Sequence, residues 1–438
     1  MNGEYIYNLN APAHHDASTE SYEYHQFFPT QSSDLNNYSD IRFVINNKEQ
    51  FFHLHNAYFE LSGQLVQKDT GAAFVQNAGI ALTHNAFPYL FRNFVYKMNG
   101  NIIESVDYPG HVSTMFNSIV YNSSKPFESG LVSCWYPDKS TVAATTNKGW
   151  EVRRKMIIDE SVPRGSFTFQ IPLTTIFGFS EYQKVISGVN HEFQMTRQED
   201  YFAIFRGRNV AGDAPIPLCV EGKVTFSRLS LWIPVAKPSG QVKINLKENE
   251  LLKRKTYTLN FYQRRGLMAE VPQGVQDWVW NIDLATFKER TKYLIVAFQA
   301  GKGTDQQSNY ALFDHSHVQT MSCFVNNVRL PYVPSKASFA ENNFGNFFRQ
   351  LQDFSNNYLQ VDSVLHESAI NPMDFKKLFP FYSFDLTKRE PDTRGDVANT
   401  RVEMHFSRAS VANLRCFACL LNEKELFLEA DGSNLVIR

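Results

Sequence analysis

The stretch Leu90–Val106, LFRNFVYKMNGNIIESV, decides the fold class. Leu90 to Met98 and Ile102 to Val106 read as a pair of strands joined at Asn99-Gly100. A tight hairpin favours that dipeptide, because both of its central residues accept positive φ. Directly after it, Tyr108-Pro109-Gly110 opens a segment in which Val112, Met115, Phe116, Ile119 and Val120 recur at helical spacing. One helix therefore crosses before the next strand.

Strand patterns extend outward from this hairpin in both directions. Upstream, Ile41 to Ile45 and the run from Phe52 through Leu54 and His55 to Leu61 alternate around short Asn and Gly breaks. Residues 1–33 are rich in Asn, His, Ser, Tyr and acids without a sustained period, which predicts a flexible N-terminal arm. Downstream, residues 122–149 form a polar excursion, and loops of that size in compact domains are usually functional or disordered. Further strands are expected at Ser166–Ile171, Asn190–Thr196 and Val220–Pro234. Lys237-Pro238-Ser239-Gly240 then interrupts the pattern, and alternation resumes as a strand over Val242–Leu246.

A domain boundary at this interruption gives a first unit over residues 34–237 and a second over 238–438. The second repeats the style of the first, with strands near Tyr257–Gln263, Val275–Leu284, Tyr293–Gln299 and His317–Leu330. A helix is marked by Phe344, Phe347, Phe348, Leu351 and Phe354, and strands follow at Tyr382–Leu386, Val402–Phe406, Leu414–Leu421 and Glu425–Leu428. The pattern predicts an all-β chain of two consecutive antiparallel sandwiches, with a few short helices in the connections. No residue-level repeat links the two halves.

Composition agrees and narrows the function classes. Aromatic residues make up 14% of the chain, with 37 Phe and 20 Tyr, which suits half-buried pleated surfaces. A hydrophobic share of 43% over 438 residues supports a sizeable core, divided by domain-size statistics into about two or three units. The net charge of -1 gives no bulk field toward nucleic acid or an anionic membrane, so any DNA contact must be local and weak. No basic region followed by an apolar core opens the chain, and no later stretch approaches the roughly 20 apolar residues that span a bilayer. The five scattered cysteines, Cys134, Cys219, Cys323, Cys416 and Cys419, suit free thiols in a reducing compartment.

With these elements in place, four segments resemble a known family: the major capsid proteins of Polinton (Maverick) elements and adintoviruses, relatives of adenovirus hexon and virophage shells. They are Ile41–Leu65, with its Leu54-x-Asn56-x-Tyr58 stretch; Asn85–Tyr121, with the Asn-Gly hairpin and Tyr-Pro lead into a helix; Phe167–Met195; and Tyr382–Ile437. The resemblance implies two jelly rolls per chain, standing upright in an icosahedral shell and joined into trimeric, pseudo-hexagonal capsomers. It further implies contacts with neighbouring capsomers, penton and minor capsid proteins, and a location in the virion after synthesis inside the host cell. It implies no enzymatic activity and no cofactor.

Several residues invite chemistry. His53-x-His55 followed by Glu60 has the spacing of a cupin metal motif, since alternate strand residues face the same way. The flanking glycines of that motif are absent, and His315-x-His317 lacks an acidic partner at matching distance, so ordinary strand histidines are favoured. Cys416-x-x-Cys419 offers half a zinc site with no second half nearby, and strand residues three apart face opposite ways. Arg394-Gly395-Asp396, in the polar loop Lys388–Thr400, is a receptor signal when displayed on a turn and otherwise a solvated loop. Asn37 and Asn122 begin glycosylation sequons that have no meaning without secretion. The basic runs Arg153-Arg154-Lys155 and Lys253-Arg254-Lys255 are either DNA contacts or solvated faces. Gly301-Lys302-Gly303 is too short for a phosphate loop, and nucleophile motifs are missing. Three functions compete: a shell protein, a carbohydrate-binding jelly roll (a lectin or appendage), and a cupin-like metalloenzyme. The first accounts for the absence of chemistry.

Overall fold

The computed structural model describes residues 18–30, 35–37, 40–207, 219–251, 256–282, 290–361, 369–387, 400–431 and 434–437. In its first half, strands β1 (Thr19–Phe27), β2 (Asp40–Ile45), β3 (Tyr58–Gln67) and β4 (Phe91–Met98) are followed by β5 (Asn101–Asp107), β6 (Ser166–Pro172), β7 (His191–Arg197) and β8 (Gly222–Pro238). They hydrogen-bond in the orders β1-β8-β3-β6 and β2-β7-β4-β5. The second half supplies β9 (Thr256–Val271), β10 (Asp277–Ile282), β11 (Arg290–Gln299) and β12 (Val318–Val325), then β13 (Val328–Lys336), β14 (Tyr382–Asp385), β15 (Thr400–Phe406) and β16 (Leu414–Asp431). Their orders are β9-β16-β11-β14 and β10-β15-β12-β13. Adding eight to each strand number of the first half reproduces the second. Each half is thus the same jelly roll, an antiparallel sandwich whose chain alternates between two sheets.

Period-two burial makes the sandwiches. In β7 and β15 every second residue is buried, so each strand presents one apolar face to its partner sheet. In the first roll the inward rings Phe43, Phe94 and Phe193 surround Phe59, with ring centroids 5.8 to 6.1 Å away. Phe298, Tyr382 and Phe406 play that part in the second. Each such burial contributes roughly 1.5–3 kcal/mol. β11 breaks the alternation: Tyr293 to Gln299 are all buried, because its outer face is also covered, partly by a helix inserted between the rolls.

That helix, α1 (Pro109–Val120), follows the Asn99-Gly100 hairpin as expected. Pro109 occupies its first turn, where a missing N–H costs nothing. Residues Pro109 through Ile119 are all buried, so even its polar side chains need partners. Asn85 Nδ2 donates to Ser113 Oγ (2.9 Å) and Thr114 Oγ1 (3.1 Å), and Asn117 Nδ2 donates to the Thr175 carbonyl (3.0 Å).

Several expectations need correction. Thr19–Phe27, inside the segment expected to be an arm, is strand β1, paired with β8 from Thr19↔Pro238 to Phe27↔Leu231. Its mostly polar outer face hid it. Val242–Leu246 is not a strand but part of α4 (Gly240–Leu251), whose Lys, Glu and Leu residues favour a helix. The polar excursion 122–149 holds α2 (Lys125–Ser133) and the start of α3 (Lys148–Arg154). His317–Leu330 is a hairpin rather than one strand: β12 and β13 turn at Asn326-Asn327, both at positive φ. The expected helix near Phe347 is present as α5 (Gly345–Leu359), and α6 (Pro372–Lys377) follows it.

Candidate functional site

The most elaborate site joins the rolls. Glu104 on β5 is fully buried, and its carboxylate accepts three backbone N–H groups: Gly178 (2.9 Å), Phe179 (2.9 Å) and Arg264 (2.7 Å). Arg264, on β9 of the other roll, is also buried. Its guanidinium donates to the Thr174 carbonyl (2.7 Å) and to Glu181, and it lies 4.0 Å over the Phe116 ring. Tyr358 of α5 donates to the other oxygen of Glu181 at 2.6 Å. Two glycines permit this approach, since a Cβ would lie 1.7 Å from the Tyr262 carbonyl oxygen at Gly178 and 1.9 Å from that of Asp107 at Gly266.

Further along the seam, His111 of α1 stacks on Phe417 at 4.0 Å, and its Nε2 meets Gln299 Oε1 at 3.2 Å. Asp138, in the connection after α2, is fully buried and accepts both 2.9 Å bonds of the Arg153 guanidinium, as well as Asn309 from the second roll at 3.0 Å. Buried charges paired across two bodies favour one orientation, because a shift strands a charge.

Burial pushes the Glu104 carboxyl up to about 7, opposed by the Phe179, Arg264 and Gly178 N–H groups and by the Arg264 charge. A folded carboxyl that keeps its proton to higher pH contributes fully below its ordinary value of 4.5, and that contribution is lost as pH rises through about 7. Urea unfolding should therefore show stability falling by up to about 3 kcal/mol from this group between pH 4.5 and 8. Glu104→Gln should remove that slope, and an unchanged slope in the variant would contradict the assignment.

The residues singled out from sequence do not converge. His53 and His55 do not share a strand, because β-pairing stops at Phe52 and a 3₁₀ turn covers Leu54–Asn56. Their rings stack 6.0 Å apart, and both His53 nitrogens are engaged, with Tyr22 Oη (2.7 Å) and the Gln183 carbonyl (3.0 Å). His55 meets the Ser180 carbonyl at 3.0 Å, while Glu60 accepts from Gln170. His315 and His317 line a 590 Å³ cavity with Lys139, Lys376 and Lys377. Burial pushes His315 down to about 4. Among the described residues no group of three or more His, Cys, Asp or Glu is arranged to hold a metal. Cys416 and Cys419 are buried thiols, and burial pushes Cys419 up to about 12.

Of the run Arg153-Arg154-Lys155 only Lys155 is solvated; Arg153 and Arg154 are buried. They are buried ion-pair partners, Arg153 of Asp138 and Arg154 of Glu151 and Asp159, each at 2.8 to 2.9 Å. The acids at Glu151 and Asp159, close in sequence, were the overlooked signal. Arg394, Gly395 and Asp396, and Lys253-Arg254-Lys255, lie outside the described residues.

A family model described as the double jelly roll-like domain matches residues 80–425. The chain belongs to this family. As a double jelly-roll protein it is similar over nearly its whole length to solved structures. The Faustovirus major capsid protein aligns with a TM-score of 0.60 at 11% identity, covering 98% of this chain and 94% of that one. The cryo-EM structure of the Sputnik virophage aligns at 0.62 and 10%, covering 96% and 89%. The mavirus major capsid protein aligns at 0.52 and 10%, covering 99% and 94%. At such identities the likeness is one of fold. Comparison with curated protein sequences finds no match. No helix among the described residues of the double jelly-roll chain is long and apolar enough to cross a membrane.

Proposed function

We propose that this chain is the major structural subunit of an icosahedral double-stranded DNA virus or virus-like transposon shell, building trimeric pseudo-hexagonal capsomers and catalysing no reaction. The observation that carries the reading is the seam: two rolls of identical strand order are locked by buried charges into one two-lobed block. A tile in a shell needs that rigidity, whereas an enzyme needs a site. The structural neighbours named as capsid proteins support it. Three two-lobed chains related by a threefold axis present six similar lobes to a lattice in which most positions have six neighbours. Partners would be two further copies, adjacent capsomers, and penton and minor capsid proteins, with weak DNA contact at most and a location in the virion shell. We assign the first roll to residues 34–237 extended to take in β1, and the second to 238–438. If Arg394-Gly395-Asp396 is displayed on the outer face, it would serve as a receptor signal.

A carbohydrate-binding role has one observation in its favour, a 450 Å³ cavity lined by Tyr24, Tyr58, Tyr121 and Trp135 with Lys125 and several neutral polar groups. Solution mass separates the readings. Light scattering of the purified chain should give about 151 kDa, three chains of 50.3 kDa. A stable monomer at micromolar concentration would favour the carbohydrate reading.

A further inference from the structure

The repeated topology leaves one socket filled and one open. In the first roll, β5, α1 and the segment after β6 form a socket that β9 of the second roll occupies through Phe261, Tyr262, Arg264 and Gly266. In the second roll β13 and α5 correspond to β5 and α1, and β14 stands on the third side. Between them lies a 560 Å³ groove lined by Leu330, Pro331, Gln350, Asp353, Phe354 and Asn357, among others. Among the described residues nothing fills it. On its rim Tyr332 is 89% exposed and Val333 70% exposed, an apolar edge that an isolated protein would keep covered.

Strand equivalence identifies the plug. β9 corresponds to β1, and the two can be registered through their partners. Tyr262 pairs with Glu423, which also faces Arg290 at the start of β11. Gln26 pairs with Trp232, which also faces Tyr58 at the start of β3. Gln26 thus matches Tyr262, and Phe28 matches Arg264. Phe28 is 55% exposed, and the chain beyond it is held by the Thr30 N–H bond to the Arg42 carbonyl at 2.8 Å.

The socket residue changes in step. Glu104 receives the Arg264 N–H in the filled socket. Counted from the hairpin turn Glu104 matches Pro331, and counted by cross-strand partner (Tyr96 for Glu104, Cys323 for Leu330) it matches Leu330. The charged position of the filled socket is thus apolar at the open one, where Leu330, Pro331, Phe354 and Phe384 offer an apolar side to a ring beside the polar Gln350, Asp353, Asn357 and Asp385. We infer that Phe28 and the end of β1 from one copy seat in the β13–α5 groove of a second copy, repeating between chains the contact that joins the rolls within one.

The inference rests on the shell reading and names the surface by which its copies meet. It is tested on the full-length chain with p-benzoylphenylalanine in place of Phe28, in a mixture of ¹⁴N- and ¹⁵N-labelled protein. Irradiation should join position 28 to peptides from 328–336 or 345–359 in mixed-isotope pairs. Phe28→Asp should weaken trimerisation at least tenfold while the dissociated chain keeps its folded circular dichroism spectrum, and Phe28→Leu should retain trimerisation. A trimeric mass with cross-links elsewhere, or only within one chain, would overturn this interface and leave the shell reading standing. A monomeric wild-type chain would overturn both.

Discussion

A chain lacking residues 1–30 is expected to lose at least nine-tenths of its soluble yield, whereas a deletion ending at Ala17, which leaves β1 whole, should not. β1 is an edge strand, but it caps the outer half of β8: Leu231 to Pro238 pair with it. Without it, those residues present unpaired N–H and C=O groups along an extended edge, a template for pairing with other chains. Phe27 also packs against the buried ring of Phe52 at 6.1 Å, and Gln26 Nε2 donates to Ser230 Oγ at 3.0 Å. The first roll would be left with the strand order β8-β3-β6 in a sheet whose counterpart retains β9. Recovery of the truncated protein in soluble form with the full-length melting temperature would show β1 to be a dispensable attachment.

Asp138→Ala should be among the most destabilising single substitutions in the chain. The carboxylate and the Arg153 guanidinium are both fully buried. Removing the acid strands the guanidinium and also leaves Asn147 and Asn309, which donate to Asp138 at 2.8 and 3.0 Å, without that acceptor. Losing one partner of a buried pair costs about 3–5 kcal/mol, against a typical domain stability of about 5–15 kcal/mol. The double variant Asp138→Ala with Arg153→Met should recover part of that loss, because no charge remains to be satisfied. Urea unfolding of both variants checks the pair; a single-variant cost below about 1 kcal/mol would mean that water reaches the site.

Local signals in the sequence were read correctly where the physics is local. Asn99-Gly100 needs only its own φ angles, and α1 and α5 announce themselves by apolar residues three and four apart. β1 did not, because its sequence TESYEYHQF carries a largely exposed face and its partner lies some two hundred residues away. Val242, Ile244 and Leu246 fit a period of two over too short a span to outweigh the helix-forming residues after them. Resemblance implied two jelly rolls, but the seam stayed invisible: Glu104 and Arg264 are 160 residues apart, and each alone is an ordinary charged residue in a strand. The two-residue spacing of His53 and His55 has meaning only on a strand, and the two do not share one because a 3₁₀ turn intervenes.

Averaged electron micrographs of the purified full-length protein decide whether this double jelly-roll chain is the tile of a shell. A closed particle with threefold symmetry and a pseudo-hexagonal outline of six lobes is expected. Isolated two-lobed chains, or pairs related by a twofold axis, at micromolar concentration would contradict it.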